Sequence, residues 1–184
     1  MVIFDSIKIG RRGQIWVETV VYTLIGISLI GLVLAIVTPK INEYKDRTII
    51  EQSIDSLSVF DSKIKEVLQA PGNKRKVEMG LKRGDFYINA YENKTWFELA
   101  DSRSKYSEPG ESIYIGRINL TTQELTKRYK VILEIYYPQY DITFDNLDSP
   151  ENKKFSSASV PYQFFIENKG FDDDGKLQID VTEG

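Results

Sequence analysis

One carboxylate, Glu18, stands immediately before an uncharged stretch, Thr19 to Pro39, and the next charge is Lys40. In surroundings that exclude water such a group is costly unless a donor or a cation meets it, so its chemistry is pairing rather than turnover. Three other constellations invite a chemical reading. Asp172-Asp173-Asp174-Gly175 sets closely spaced carboxylates before a glycine turn, as oxygen-ligand calcium sites do. The register fails for an EF-hand: with Gly175 at the sixth loop position, Gly170 falls first and Val181 twelfth, and neither supplies the end ligand, so the run reads as a β-turn. Ser62-Lys63-Ile64-Lys65 fits Ser-x-x-Lys, but no Ser-Asp-Asn follows, which leaves a solvated helix face. Arg83-Gly84-Asp85 has the form of an adhesion tripeptide, although its glycine is what a turn requires. The chain has no Cys and no His, so thiolate chemistry, disulfides, the usual transition-metal ligand and the neutral-pH proton shuttle are all missing. No nucleophile, base and orienter can be assembled from spacing, and a non-catalytic protein without cofactor or metal is expected.

The elements that carry these residues divide the chain. As a helix, the 21 residues from Thr19 to Pro39 measure about 31 Å, the thickness of a bilayer's hydrocarbon core. A cleaved secretory signal ending near Val33-Leu34-Ala35 is the competing reading, but such cores are shorter. Pro39 lacks an N–H and crowds the carbonyl of Ala35, so a kink or restart is expected at the membrane exit. Beyond it, Ile41, Tyr44, Ile50, Ile54, Leu57, Ile64, Val67 and Leu68 recur mostly at three- and four-residue steps, an amphipathic helix that Ala70-Pro71-Gly72-Asn73 should stop near Gln69. From Lys74 the period shortens to two, with strands expected at 77–81, 85–90, 95–99, 112–118, 129–137, 140–144, 160–166 and 177–181. Val131, Leu133, Ile135 and Tyr137 alternate against Lys130, Ile132, Glu134 and Tyr136. The fold class is α+β: a long N-terminal helix followed by a β-sandwich head of about seven or eight antiparallel strands.

Lys plus Arg number 24 and Asp plus Glu 27, and a net charge of −3 gives no electrostatic footprint for nucleic acid. The positive-inside comparison is a tie, because Lys8, Arg11 and Arg12 precede the span while Lys40, Lys45 and Arg47 follow it. Two acceptor sequons in the downstream body, Asn93-Lys94-Thr95 and Asn119-Leu120-Thr121, break it in favour of an exported C-terminal domain on a single-pass anchor. Tyr106-Ser107-Glu108-Pro109-Gly110 and Tyr136-Tyr137-Pro138-Gln139-Tyr140 place tyrosines in loops, where they serve contacts between subunits or ordinary edge packing.

Arg11-Arg12-Gly13-Gln14-Ile15-Trp16-Val17-Glu18 resembles the processing site of type IV pilin-like precursors, in which a basic leader ends in Gly and the fifth mature residue is Glu. Counting from Gln14, Glu18 is that fifth residue. The match is closest to archaeal pilins with a class III signal peptide, whose mature chains begin Gln-x-Ser-x-Glu-x-x-x-Leu; Trp16 stands in place of the Ser and Tyr22 in place of the Leu. The resemblance covers about residues 8–38. It implies that a membrane-embedded prepilin-type peptidase cuts between Gly13 and Gln14, and that the freed helices of many subunits pack as a filament core. A neighbour's new α-amino group would then satisfy Glu18 and set the axial register, unless Gln14 cyclises and offers only hydrogen-bond donors.

Small residues in the span fit such packing. At 100° per residue Thr19, Thr23 and Gly26 share one face, while Ser28, Gly31 and Ala35 gather on the other side. The expected organisation is a leader at 1–13, a transmembrane and assembly helix at 14–38, an amphipathic stalk at 40–69 and an extracellular sandwich at 74–184. The expected role is a structural subunit of a surface filament, or of related secretion or archaellum-type machinery, whose partners are the peptidase, other pilin-like subunits and the membrane. The alternative is a single-pass, membrane-tethered extracellular binding domain that never polymerises.

Overall fold

The computed structural model describes residues 11–172 and 175–184, with side chains from Trp16 onward. The chain divides into two compact units at the Asn42–Glu43 boundary. One α-helix, α1, runs Arg11–Val67 through both and contains Pro39, so the helix does not restart at the residue where a kink or restart was expected. In the first unit the helix is apolar and uncovered: Trp16, Tyr22, Leu29, Ile30, Leu32 and Ile36 are all exposed.

In the second unit the same helix turns polar on one side and becomes core on the other. Ile50, Ile54, Leu57, Phe60, Ile64 and Val67 lie at helical spacing and are buried. They belong to one hydrophobic cluster with residues of both β-sheets, so residues 50–67 are part of the head's interior. Phe60 meets Phe86 at 5.6 Å and Phe164 at 6.1 Å between ring centroids, both edge-to-face. The helix stops where Pro71 and the left-handed Gly72 (φ 79°) follow. There the buried Asn168 donates from Nδ2 to the last helical carbonyl, Val67 O, at 2.9 Å.

Among the described residues ten strands follow: β1 Lys74–Met79, β2 Asp85–Asn89, β3 Lys94–Ser102, β4 Ser112–Ile115, β5 Ile118–Glu124, β6 Tyr129–Tyr136, β7 Tyr140–Phe144, β8 Lys153–Ser156, β9 Tyr162–Phe171 and β10 Leu177–Glu183. They form a four-stranded sheet ordered β1-β9-β10-β7 and a six-stranded sheet ordered β4-β5-β6-β3-β2-β8. Every pairing is antiparallel except β10 with β7. The two sheets face each other through aromatic contacts, Phe86 with Phe164 at 5.9 Å and Phe155 with Phe164 at 4.9 Å. The α+β class with a sheet-rich head is as the pattern of periods indicates, but the described strands number ten where seven or eight were expected, one pairing is parallel, and Ile41 and Tyr44 of the expected helix stripe are exposed. In place of the single strand expected over 112–118 stands a hairpin whose second arm, β5, extends to Glu124 where no strand was expected, because Gly116 takes φ 61° and, with Arg117, closes a two-residue turn between Ile115 and Ile118. The short β8 pairs at the edge of the larger sheet and buries only Phe155, a signal too sparse for a period-two pattern.

Candidate functional site

The first unit is where the chemistry singled out by the sequence lies. Gly13 and Gln14 occupy the first turn of α1; the side chains within 11–15 fall outside the described residues, as do Met1 to Gly10. Glu18 is the first acidic side chain described, and it is exposed on the helix just before the uncharged run. Among the described residues one helix is long and apolar enough to cross a membrane, and none of its most apolar window is buried.

The polar groups of this helix are turned inward upon its own backbone. Thr23 Oγ1 donates to Thr19 O at 2.8 Å, Ser28 Oγ to Leu24 O at 2.8 Å and Thr38 Oγ1 to Leu34 O at 2.7 Å. Bonding to the carbonyl four residues back satisfies a hydroxyl with no help from solvent, which suits apolar surroundings. At Gly26 and Gly31 a Cβ would find nothing within 4 Å, so the grooves there are open to a neighbouring backbone, and Ala35 is likewise exposed. The arrangement offers two small-residue faces, an apolar girdle and one carboxylate at its edge.

In the second unit the remaining candidates are held in structural roles. Arg83 donates from its guanidinium to the buried Asp46 and to Asp101 O, Asp46 also accepts from Arg103 N at 2.7 Å, and Asp85 pairs with Lys154 at 3.1 Å. Gly84 has φ 86°, and a Cβ there would strike the Phe97 ring and sit 2.7 Å from Glu98 O, so the glycine of this tripeptide is fixed by packing. Lys63 and Lys65 pair with Glu66 and Asp61 at 2.7 and 2.6 Å. Around the acidic run, Asp172 Oδ1 accepts from Lys176 N at 2.7 Å and Asp172 O from Gly175 N at 3.1 Å, a closed turn; Asp173 and Asp174 lie outside the described residues. No group of three metal-ligating side chains gathers among the described residues.

The sequons occupy different settings. Asn93 is half-buried at φ 51°, its Oδ1 accepts from Ile142 N at 2.6 Å, and Thr95 is wholly buried. Asn119 sits within β5, and Thr121 Oγ1 shares a 2.9 Å hydrogen bond with Ser112 Oγ. Sequence patterning did not single out the buried polar knot around Asp61, which accepts from Arg117 Nη1 at 2.9 Å while Arg117 lies over the Tyr137 ring at 5.0 Å. Burial, and then the Asp61 charge, push the Tyr137 phenol well above the ordinary tyrosine range, so it stays neutral. The one available signal was Asp61 falling on the apolar stripe beside Phe60 and Ile64.

No family model, curated protein or solved structure matches the chain.

Proposed function

We propose that the protein is a type IV pilin-like structural subunit: it is exported, trimmed after Gly13 by a prepilin-type peptidase, and assembled through its N-terminal helix into a surface filament or a related secretion or archaellum-type machine. The observation that carries this reading is the conjunction of Glu18, a Gly13-Gln14 junction four residues before it, and an apolar helix whose surface the chain itself leaves uncovered. Lipid hydrocarbon can cover Leu and Ile as well as another helix can. A carboxylate gains from a cation in a neighbouring subunit in a way it does not gain from lipid. The β-rich head is then the surface the polymer presents outside the cell.

Mass spectrometry of the native chain tests the reading. A mature N-terminus at Gln14 is expected, and an intact leader in natively purified material refutes processing and leaves the tethered-domain alternative. Glu18→Val should insert normally while filament yield falls at least about tenfold, the loss of roughly one buried ion-pair interaction. Filaments at normal yield from that variant remove the role given to the carboxylate.

A further inference from the structure

At the β4 end of the six-stranded sheet, beside the turn that precedes β7, lies an open cavity of about 670 Å³, well within the range of small-molecule sites. The strand register builds its floor. Tyr114 is opposite Asn119 and Asn119 opposite Glu134, so three side chains from β4, β5 and β6 stand in one row on the sheet's outer face. Tyr136, two residues beyond Glu134, shares that face, and Tyr140 closes the far side.

Three features point to the ligand. First, the tyrosine rings are free: Tyr114 is 74% and Tyr136 57% exposed, and among the described residues neither has a stacking ring or a cation over it. Elsewhere on the same face the aromatic pair Tyr87 and Trp96 is stacked at 4.8 Å, and Lys154 and Lys94 cap it on either side. Second, Asn119 lines the cavity and its Oδ1 is buried with no hydrogen-bond partner, an acceptor that native structures rarely leave unused. Third, the charge balances. Lys65 and Arg117 both reach the cavity, but each is already paired with Asp61, at 2.6 and 2.9 Å, and Glu134 is paired with Lys94 at 3.8 Å, which Glu92 also holds. Three cations against three carboxylates leave no net field for a phosphate or carboxylate ligand.

We propose that this cavity binds a neutral hexose unit of a glycan. A pyranose ring offers an apolar C–H face that fits against an open tyrosine. Its hydroxyls donate to Glu134 and accept from the Gln139 amide, and a turn of the Asn119 amide toward the opening would give its unpartnered Oδ1 a donor. The site belongs to the head alone, and it stands whether or not the chain polymerises.

The test uses the full chain in a detergent without a sugar headgroup, with the methyl glycosides of glucose, galactose, mannose and N-acetylglucosamine as probes, read by saturation-transfer NMR and calorimetric titration. At least one should bind with a Kd on the order of 1 mM. Tyr136→Ala should weaken it about tenfold. Asn119→Leu, which removes an unpaired acceptor and keeps the shape, should weaken binding with no loss of thermal stability. Tyr91→Ala, an exposed tyrosine away from the cavity, should change nothing. Silence from all four glycosides at ten times that concentration overturns the proposal, as does binding that survives both cavity substitutions. Competition by inorganic phosphate would make this an anion site. Loss of subunit association in the Tyr136 variant without any sugar binding would assign the surface to another copy of the chain.

Discussion

Truncating Phe60 to Ala removes the side chain that joins the helix to both sheets. Phe60 is completely buried and touches one ring from each sheet, Phe86 and Phe164. Phe→Ala in a core costs about 3–5 kcal/mol through lost transfer energy and the cavity left behind. Two edge-to-face contacts, each worth about 0.5–1.5 kcal/mol beyond burial, place this site at the upper end. Against a total stability of about 5–15 kcal/mol that loss removes between a third and all of it. Phe60→Leu keeps most of the volume and should cost only about 1–2 kcal/mol. The assay is urea unfolding of the full chain in detergent, followed by the fluorescence of Trp96 in a Trp16→Phe background, since the chain has only these two tryptophans. With a slope of about 1–3 kcal/mol per molar urea, the alanine variant should lower the midpoint by roughly 2 M with the slope unchanged. A loss below about 1 kcal/mol would refute the reasoning, because a side chain so placed cannot be removed without leaving a hole.

Two further substitutions probe the polar interior and the surface charge. Asn168→Ala strips the cap from Val67 O and leaves Gly170 N, now bonded to Asn168 Oδ1 at 2.9 Å, without its acceptor; a loss of about 1–3 kcal/mol is expected in the same urea assay, with faster hydrogen exchange in the last helical turn. Desolvation, with repulsion from Asp148 and Asp172, raises the Asp141 carboxyl above the usual range, so the folded state holds that proton more tightly than the unfolded chain and its ionisation costs stability at neutral pH. Asp141→Asn should therefore stabilise the protein at pH 7, by no more than about 0.5 kcal/mol for so solvated a group, and thermal unfolding should show the advantage fading as pH falls to about 3.5.

Periodicity in the sequence makes most of the architecture legible. The stripe at Ile50, Ile54, Leu57, Ile64 and Val67 and the alternation through Val131, Leu133 and Ile135 are both buried as a half-covered helix and a half-covered strand must be. The hairpin that begins at Ser112 and runs on to Glu124 escaped because Gly116-Arg117 is a short break in an apolar run, and only the change of parity between Ile115 and Ile118 and the glycine itself mark the turn. The parallel pairing of β7 with β10 was beyond reach, since the residues that meet, such as Ile142 and Ile179, are far apart in the chain and carry no local signal. The same limit hid the cavity: Tyr114, Asn119 and Glu134 come together through register across three strands, and nothing in their spacing announces it. Glu18 was conspicuous for the opposite reason, because it depends on local contrast alone.

That contrast also fixes which measurement matters. The uncovered Val, Leu and Ile side chains of residues 16–37 each represent about 1.5–3 kcal/mol of burial that the chain does not achieve by itself, and in the proposed reading lipid or other helices supply it. Hydrophobicity cannot separate the two, for a lipid tail is as good a neighbour to Leu32 as another leucine is. Shape and charge can. The open grooves at Gly26 and Gly31 are worth filling only by a backbone that comes close, and Glu18 gains from a neighbouring helix only if that helix brings a positive charge or strong donors to the same depth. In this stretch the nearest basic side chains before Glu18 are Arg11 and Arg12, which precede the Gly13-Gln14 junction. Cutting there removes both and creates a new amino terminus four residues from the carboxylate. Association through Glu18 and cleavage at Gly13 are therefore one hypothesis, and neither half is sufficient without the other.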